Sequence, residues 1–588
     1  TRKMPTAQTY WSDTITHATT GVTYHFAAPV EYGHYWNGDI FVVSNGGDIT
    51  ITQITPESDT GIYMIDDSGT TGTRTVHGAM LQPDDTQRNG FDDGVAWRAY
   101  DASDNVDPAA TGQPLSIAYA NHPGGASVVK AVSLEDLTTQ RDRSVIDKYS
   151  ILTITPETPP KNAFRPPVAG DDKASAYTLA DLDFTKLQSV PLVTGQEPIS
   201  SYDYLAEAAN VSWWTAEWNL IGFHPNSYHD GYNDYQLDAL IGAFMAIHSD
   251  YAENEKADLY AAIVQHGLDY AGAVSEGLNF PANGGHGNLY KPFVVTAASA
   301  LNSQEIADIA VIDSAFSEDT TFRYIKADYI GVEFFNSVTS QSPIIGQPYQ
   351  DVHLGLPEWT IRDFNDGRFD PLLDASYRMT NSDNVPILAL TMEMLGAGEG
   401  RAIWGNEAYF DYAERMRLIH EIDTTPVGVE GIHAAQPEWM AFLDAYHGSF
   451  SAGGTMDLRP EAPLDVTASD TGGGLSVAIG GDVFPGSAPI DRVDLRYRTA
   501  SDGETWTVVE DFGMSGSIDG LAGGEVYFVQ ARFVSAIGEG PWSDNGFETT
   551  NGELIDRLKA EGFITDEYMD TFGGQRQYQK SEDYKEHL

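Results

Sequence analysis

The sequence predicts a multidomain protein of α and β structure. It reads as an N-terminal β-sandwich, a central α/α-toroid-like helical domain, a second and smaller β-sandwich, and a short C-terminal helix with a polar tail. Three observations predict this. Short β-branched and aromatic runs fill the chain up to residue 165, apolar residues take helical spacing between 201 and 455, and β runs at regular spacing return between 460 and 549. A chain of 588 residues has room for several such domains.

Residues 1–165 carry the first sandwich. Val22-Thr23-Tyr24-His25-Phe26, Ile40-Phe41-Val42-Val43, Ile49-Thr50-Ile51-Thr52 and Tyr149-Ser150-Ile151-Leu152-Thr153-Ile154 suit a pleated, half-buried surface. Gly, Asn and Asp clusters punctuate them, with a long polar loop at 84–93. Pro156, Pro159, Pro160, Pro166 and Pro167 mark the boundary, and residues 166–200 read as a Pro-rich linker held extended by its fixed φ angles.

Residues 201–455 read as the helical domain. Leu237, Leu240, Ile241, Phe244 and Ile247 share one helical face, as do Leu259, Ile263, Val264, Leu268 and Ala271. Further helices are predicted at 291–301, 303–311, 384–396 and 406–421. Loops rich in Gly, Asn and aromatics join them, and such loops are where a helical scaffold presents binding and catalytic groups.

In residues 460–549 the runs Leu475–Ile479, Val493–Arg498, Thr505–Val509 and Val526–Val534 are strands. Leu521-Ala522-Gly523-Gly524-Glu525-Val526-Tyr527-Phe528-Val529-Gln530-Ala531, followed by Gly538-Glu539-Gly540-Pro541-Trp542-Ser543, resembles the late strands of a fibronectin type III module. The resemblance implies a fibronectin type III β-sandwich with a corner hydrogen bond at Tyr527. Leu475-Ser476-Val477 stands where that family has a tryptophan, and Trp506 is the expected buried aromatic in its place. Residues 550–588 read as a short C-terminal helix and a polar tail that orders against a partner.

Composition narrows the function. Charges are 86 acidic against 33 basic, a formal balance of −53, and cysteine is absent. Disulfides, thiolate metal sites and a cysteine nucleophile are excluded. The acidity argues against nucleic acid and against an anionic membrane surface, and no apolar run is long enough for membrane insertion. It fits either a solvated surface that stays soluble in salt or several divalent-cation sites. No apolar stretch follows Thr1-Arg2-Lys3-Met4-Pro5. The expected location is therefore the virion, or the extracellular space after removal of a signal.

Four polar clusters are candidate sites. The first runs from His224 through His229, Asn233, Asp234, Tyr235 and Asp238 and opens a helix, with Asn233 or Asp234 placed to cap it. The second, Asn283-Gly284-Gly285-His286-Gly287-Asn288-Leu289-Tyr290-Lys291, lets backbone approach a ligand beside free helix N–H groups. The third gathers Asp351, His353, Glu358, Trp359 and Arg362, and the fourth Tyr377 and Arg378. Trp213 and Trp214 precede the first and offer faces on which sugar rings stack, unless they are core anchors. Asp363-Phe364-Asn365-Asp366-Gly367 is a partial calcium loop, so Ca2+ is the one cofactor raised; it lacks the alternation and closing Glu of an EF-hand. His224, His229, His286 and His353 show no i, i+4 pairing, and no other metal site is expected.

Over roughly residues 20–420 the chain also resembles a large, mostly uncharacterised family of bacterial and phage proteins frequent in marine sequences. The likeness lies in Asn37-Gly38-Asp39, Ala163-Phe164-Arg165-Pro166-Pro167, Asn233-Asp234-Tyr235-Gln236, Asn283-Gly284-Gly285-His286-Gly287, Pro357-Glu358-Trp359, Trp404-Gly405-Asn406 and Phe410-Asp411-Tyr412. Leu289-Tyr290-Lys291-Pro292 departs from the family's usual Gly-Arg-Lys-Trp-Pro. The family supports the domain layout rather than an activity.

The function expected is a virion tail fibre, spike or tail-tip protein that binds host surface polysaccharide through its helical domain, with depolymerisation there left open. The alternatives are a free secreted polysaccharide lyase or glycoside hydrolase, and a non-catalytic adhesion protein. For a lyase, His286 or Tyr290 is the base and Asn233, Asn283 or Arg362 neutralises the substrate carboxylate. For a hydrolase, Asp234 or Asp238 pairs with Glu358. Trp213, Trp214, His229, Tyr235, Asn283, Lys291, His353, Trp359, Tyr377 and Arg378 are the expected sugar contacts. The expected partners are host or environmental polysaccharide, other virion proteins and further copies of the chain.

Overall fold

The computed structural model describes residues 6–64, 71–82, 104–133, 146–202, 234–278, 280, 290–312, 314–327, 330, 351, 354–359, 361–362, 369–370, 385–422, 437–451, 460, 463, 465–471, 473–480, 488–499, 505–522, 526–543 and 546–549. They form a mixed α and β protein of two compact units. Besides a single helical turn at Pro108–Thr111, the helices are α1 (Asp234–His248), α2 (Glu253–Ser275), α3 (Lys291–Ala300), α4 (Gln304–Ala310), α5 (Val385–Met394), α6 (Glu399–Trp404), α7 (Glu407–Ile422) and α8 (Pro437–Phe450). All but α6 and α8 coincide with expected helices to within about two residues, the usual scatter of helix ends.

The first unit holds residues 1–321, 387–407 and 435–452. Its strands are β1 (Tyr10–Thr16), β2 (Thr23–His34), β3 (Ile40–Val43), β4 (Ile49–Thr55), β5 (Asp59–Met64), β6 (Thr71–Val76), β7 (Ala79–Leu81), β8 (Leu115–Ile117), β9 (Ala126–Ser133) and β10 (Ile146–Thr155). Eight of them share one sheet, ordered β7-β9-β10-β3-β2-β4-β8 with β1 on β2, while β5 and β6 pair separately. Among the described residues the strands do not divide into two comparable sheets: β10 joins β3 in parallel register and makes the main sheet continuous. All four residues of β3 are buried: Ile40 and Val42 face a core with Tyr24, Ile51, Val128 and Leu152, and Phe41 and Val43 face a second cluster with Tyr35 and Ala163. Covering on both faces explains why β3 reads as an unbroken apolar run.

The proline-rich boundary packs into the first unit. Phe164, Arg165, Val168, Ala169 and Lys173 are all buried. The Arg165 guanidinium forks onto Asp269 of α2, with Nη1 2.8 Å from Oδ1 and Nη2 2.5 Å from Oδ2, and its Nε donates to Asp39 Oδ2 at 2.7 Å. Asp39 sits in the turn between β2 and β3, where Asn37 Nδ2 donates to its Oδ2 at 2.8 Å and His17 Nε2 lies 3.3 Å from Oδ1. Burial alone would raise the Asp39 carboxyl; the His17 hydrogen bond and the Arg165 charge outweigh it and hold the group below its ordinary range. Lys173 is capped by the carbonyls of Pro167, Val168 and Ala169.

Val190, Ile241, Met245, Ile387, Leu390, Met394, Trp439, Phe442 and Leu443 form one cluster that unites α1, α5 and α8. Helix α8 was legible, since Trp439, Phe442, Leu443 and Tyr446 stand at i, i+3, i+4 and i+7.

The second unit holds residues 322–386, 408–434 and 453–588. Strands β11 (Phe322–Tyr324) and β12 (Pro357–Trp359) pair, as do β13 (Ile361–Arg362) and β14 (Phe369–Asp370). Two further sheets follow. β15 (Asp465–Asp470), β16 (Gly474–Gly480) and β19 (Ser515–Asp519) form one; β17 (Ile490–Thr499), β18 (Thr507–Val509), β20 (Val526–Ser535), β21 (Gly538–Glu539) and β22 (Gly546–Thr549) form the other. Leu475, Val477, Leu495, Ile518, Tyr527 and Val529 fill the core. Trp506 is half-buried and lies over Arg496 and Arg498, so it is not the buried aromatic expected; Leu475 and Val477 of β16 occupy that core instead.

Candidate functional site

The sequence of the second unit brings β11 and β12 against α7. The strands run antiparallel with Phe322 opposite Trp359, Arg323 opposite Glu358 and Tyr324 opposite Pro357. Phe322 stacks on Trp359 at 4.9 Å and 18°, and meets Tyr409 and Tyr412 of α7 edge-on at 4.9 and 5.4 Å. This aromatic block fixes the polar groups beside it. The Tyr324 hydroxyl donates to Asp411 Oδ2 at 2.6 Å. Asp411 is 3% exposed, and its Oδ1 has no hydrogen-bond partner among the described residues. A buried acceptor left open is costly unless something else occupies it.

One helical turn on, Arg415 is fully buried. Its Nη1 donates to Glu358 Oε2 at 3.0 Å and to the Pro357 carbonyl at 2.9 Å. Glu358 Oε1 also accepts the Trp359 N–H at 3.1 Å. Glu358 is thus a fixed, neutralised charge, whereas Asp411 keeps an oxygen open. Asp411 appears in the Phe410-Asp411-Tyr412 motif but not among the expected site residues. Its type gave no separate signal, because a lone acid on an amphipathic helix is ordinarily solvated.

A second cluster lies in the first unit. Lys291 Nζ pairs with Asp319 Oδ2 at 2.7 Å and lies 5.1 Å from the centre of the Trp404 ring. Trp404 Nε1 donates to Asp319 Oδ1 at 2.7 Å, and Asn406 Nδ2 donates to its carbonyl at 2.8 Å. Tyr290 is 3% exposed and stacks on Phe280 at 4.1 Å and 17°. The Trp404-Gly405-Asn406 motif therefore holds Asp319, and Lys291 and Tyr290 are engaged in packing.

Among the other expected residues, Asp234 and Tyr235 lie in α1 and Arg362 in β13, each described by its backbone alone. Trp213, Trp214, His224, His229, Asn233, Asn283, His286, His353, Tyr377 and Arg378 lie outside the described residues, as does the loop 363–367. Among the described residues no three His, Asp or Glu side chains come together to hold a metal. No helix among them is long and apolar enough to cross a membrane.

No family model matches the chain, and no curated protein matches it. Solved structures match short stretches. One titled "Myokine structure" is 17% identical over 16% of this chain and 97% of its own, with a TM-score of 0.14. Another, "Titin kinase and its flanking domains", is 13% identical over 19% of this chain and 20% of its own, with a TM-score of 0.16. At these scores neither likeness bears on family or activity.

Proposed function

We propose that the chain is a glycan-directed protein of virion or exported type that hydrolyses polysaccharide at Asp411. The open, buried Oδ1 of Asp411, beside a Tyr324 hydroxyl that holds Oδ2, is the observation that carries this reading. A carboxyl group so fixed can move a proton to a glycosidic oxygen or from a water. Glycoside hydrolysis ordinarily needs a second carboxyl group, and Glu358 is held by Arg415 one turn along α7 from Asp411. Hydrolysis is favoured over elimination because, among the described residues of this site, the Arg415 guanidinium is already answered by Glu358.

The finer architecture belongs to the same proposal. The helices of the first unit, packed through α1, α5 and α8, support an α/α-toroid-like scaffold. In the C-terminal module, the Tyr527 hydroxyl accepts the Ala522 N–H at 2.9 Å and two sheets enclose one core, which supports the fibronectin type III reading. Such a module serves as a spacer or as a second binding element in a fibre or an exported enzyme.

The test is incubation of the full chain with a panel of neutral and acidic polysaccharides. Reducing ends and the ultraviolet absorbance of unsaturated uronate are followed in parallel. Reducing ends without absorbance support hydrolysis. Absorbance that survives Asp411→Asn moves the chemistry to the Gly-rich loop around His286, and silence in both readouts leaves adhesion without turnover.

A further inference from the structure

The outer face of the β17–β20 pair is unusual for so acidic a chain. Val493 and Leu495 turn inward to the core, so Arg492, Asp494, Arg496 and Arg498 alternate onto the opposite face. Register places Asp494 opposite Arg532, Arg496 opposite Gln530 and Arg498 opposite Phe528. Two half-buried indoles complete the face. The Arg496 guanidinium lies 4.4 Å from the ring centres of both Trp506 and Trp542. Arg532 lies 4.4 Å from Trp542, and Arg498 lies 4.9 Å from Trp506 and 5.3 Å from Phe528.

The ion pairs on this face among the described residues leave Arg496 out. Arg492 and Arg532 share Asp494, at 2.9 and 3.1 Å, and Arg532 also meets Glu539. Glu510 lies near Arg492. Arg496 donates Nε to Gln530 Oε1 at 2.7 Å and has no ion pair among the described residues. Burial, with Arg532 and Arg498 close by, pushes its guanidinium down to about 10. Stacking occupies the π faces of guanidinium groups and leaves their in-plane N–H edges for forked bonds to oxyanions.

We propose that this arginine–tryptophan face binds an acidic polysaccharide through its sulfate or carboxylate groups. A polyanion approaching a chain of net charge −53 is repelled at long range. At physiological salt the repulsion is screened beyond about 8 Å, so a local cationic face decides capture. Charge complementarity selects the occupant, and the guanidinium fork suits its oxyanions. This binding site is separate from Asp411 and does not depend on turnover there.

The full chain is titrated with heparin, with polygalacturonate and with dextran as a neutral control, at several NaCl concentrations. The proposal expects binding of both anionic polymers, weakening as salt rises, and none of dextran. Arg496→Gln with Arg498→Gln is expected to lose about tenfold or more in affinity with unchanged circular dichroism. If that double variant fails to fold, Arg492→Gln at the exposed rim gives the readout, with a loss of about two- to threefold. Absence of anionic binding, equal binding of dextran, or undiminished binding by a folded variant overturns it. So does sedimentation showing that the wild type self-associates through this face and the variant does not, which assigns the face to a second copy.

Discussion

Arg165 and Asp269 close a two-bond fork inside the first unit, with both side chains cut off from solvent. The same guanidinium reaches Asp39 in the β2–β3 turn, so one residue fastens sheet and helix α2 together. Removing one member leaves an uncompensated buried charge, which costs about 3–5 kcal/mol. Asp269→Ala is expected to lower the stability of the first unit by that amount in urea unfolding. A loss below about 1 kcal/mol, the scale of an exposed pair, would show that the fork holds nothing together.

Two helical glycines mark close approaches. A Cβ at Gly267 would run into the Phe293 carbonyl of α3 and the side chain of Ala297, and one at Gly272 would run into Pro167. Alanine ordinarily favours a helix by about 1 kcal/mol over glycine. At both positions the clash outweighs that gain, and Gly267→Ala and Gly272→Ala are each expected to destabilise by about 1–3 kcal/mol. Gly448 of α8 is the control, because a Cβ there meets open space. Gly448→Ala should hold the melting temperature or raise it slightly.

The elements were legible where apolar residues keep a helical spacing or form an unbroken run. Leu240, Ile241 and Phe244 announce α1, and the four apolar residues of β3 announce a strand covered on both sides. Long-range charge pairing was not legible. Nothing in the spacing of Asn37-Gly38-Asp39 and Phe164-Arg165-Pro166 says that the two motifs meet at a single guanidinium, because 126 residues separate Asp39 from Arg165. Lys291 read as a ligand contact for the same reason, since its partner Asp319 and the Trp404 ring come from distant segments. The Arg496–Trp542 contact was hidden likewise, because Trp542 reaches it from the segment after β21.

Acid stability should carry the mark of His248. The ring is fully buried, its Nδ1 accepts the Gln188 N–H at 3.2 Å, and burial followed by the nearby Lys256 charge pushes it down from 6.5 to about 3. Between those values the unfolded chain binds a proton that the folded chain does not. Stability is therefore full above pH 6.5 and falls as the pH drops through the window. Asp39, held below its ordinary range, adds a loss in the same direction at lower pH. His248→Asn is expected to flatten the upper part of the pH–stability curve measured by urea unfolding. An unchanged slope would mean that the ring titrates normally in the fold.

Asp411 and Arg415 share a helix face, yet their variants should fail in different ways. Arg415→Met leaves Glu358 buried without its cation, and the expected result is a loss of about 3–5 kcal/mol in stability. Asp411→Asn keeps the shape and an acceptor for the Tyr324 hydroxyl while removing the proton-transferring carboxyl. Its melting temperature should stay near that of the wild type while release of reducing ends falls by about 10²–10⁴-fold. Tyr324→Phe removes the donor to Oδ2 and should cost about tenfold in kcat, with KM little changed, because the carboxyl is less well fixed. If Asp411→Asn instead melts early and keeps its turnover when folded, the Asp411–Tyr324 pair is a structural clasp between β11 and α7, and the hydrolytic group lies elsewhere.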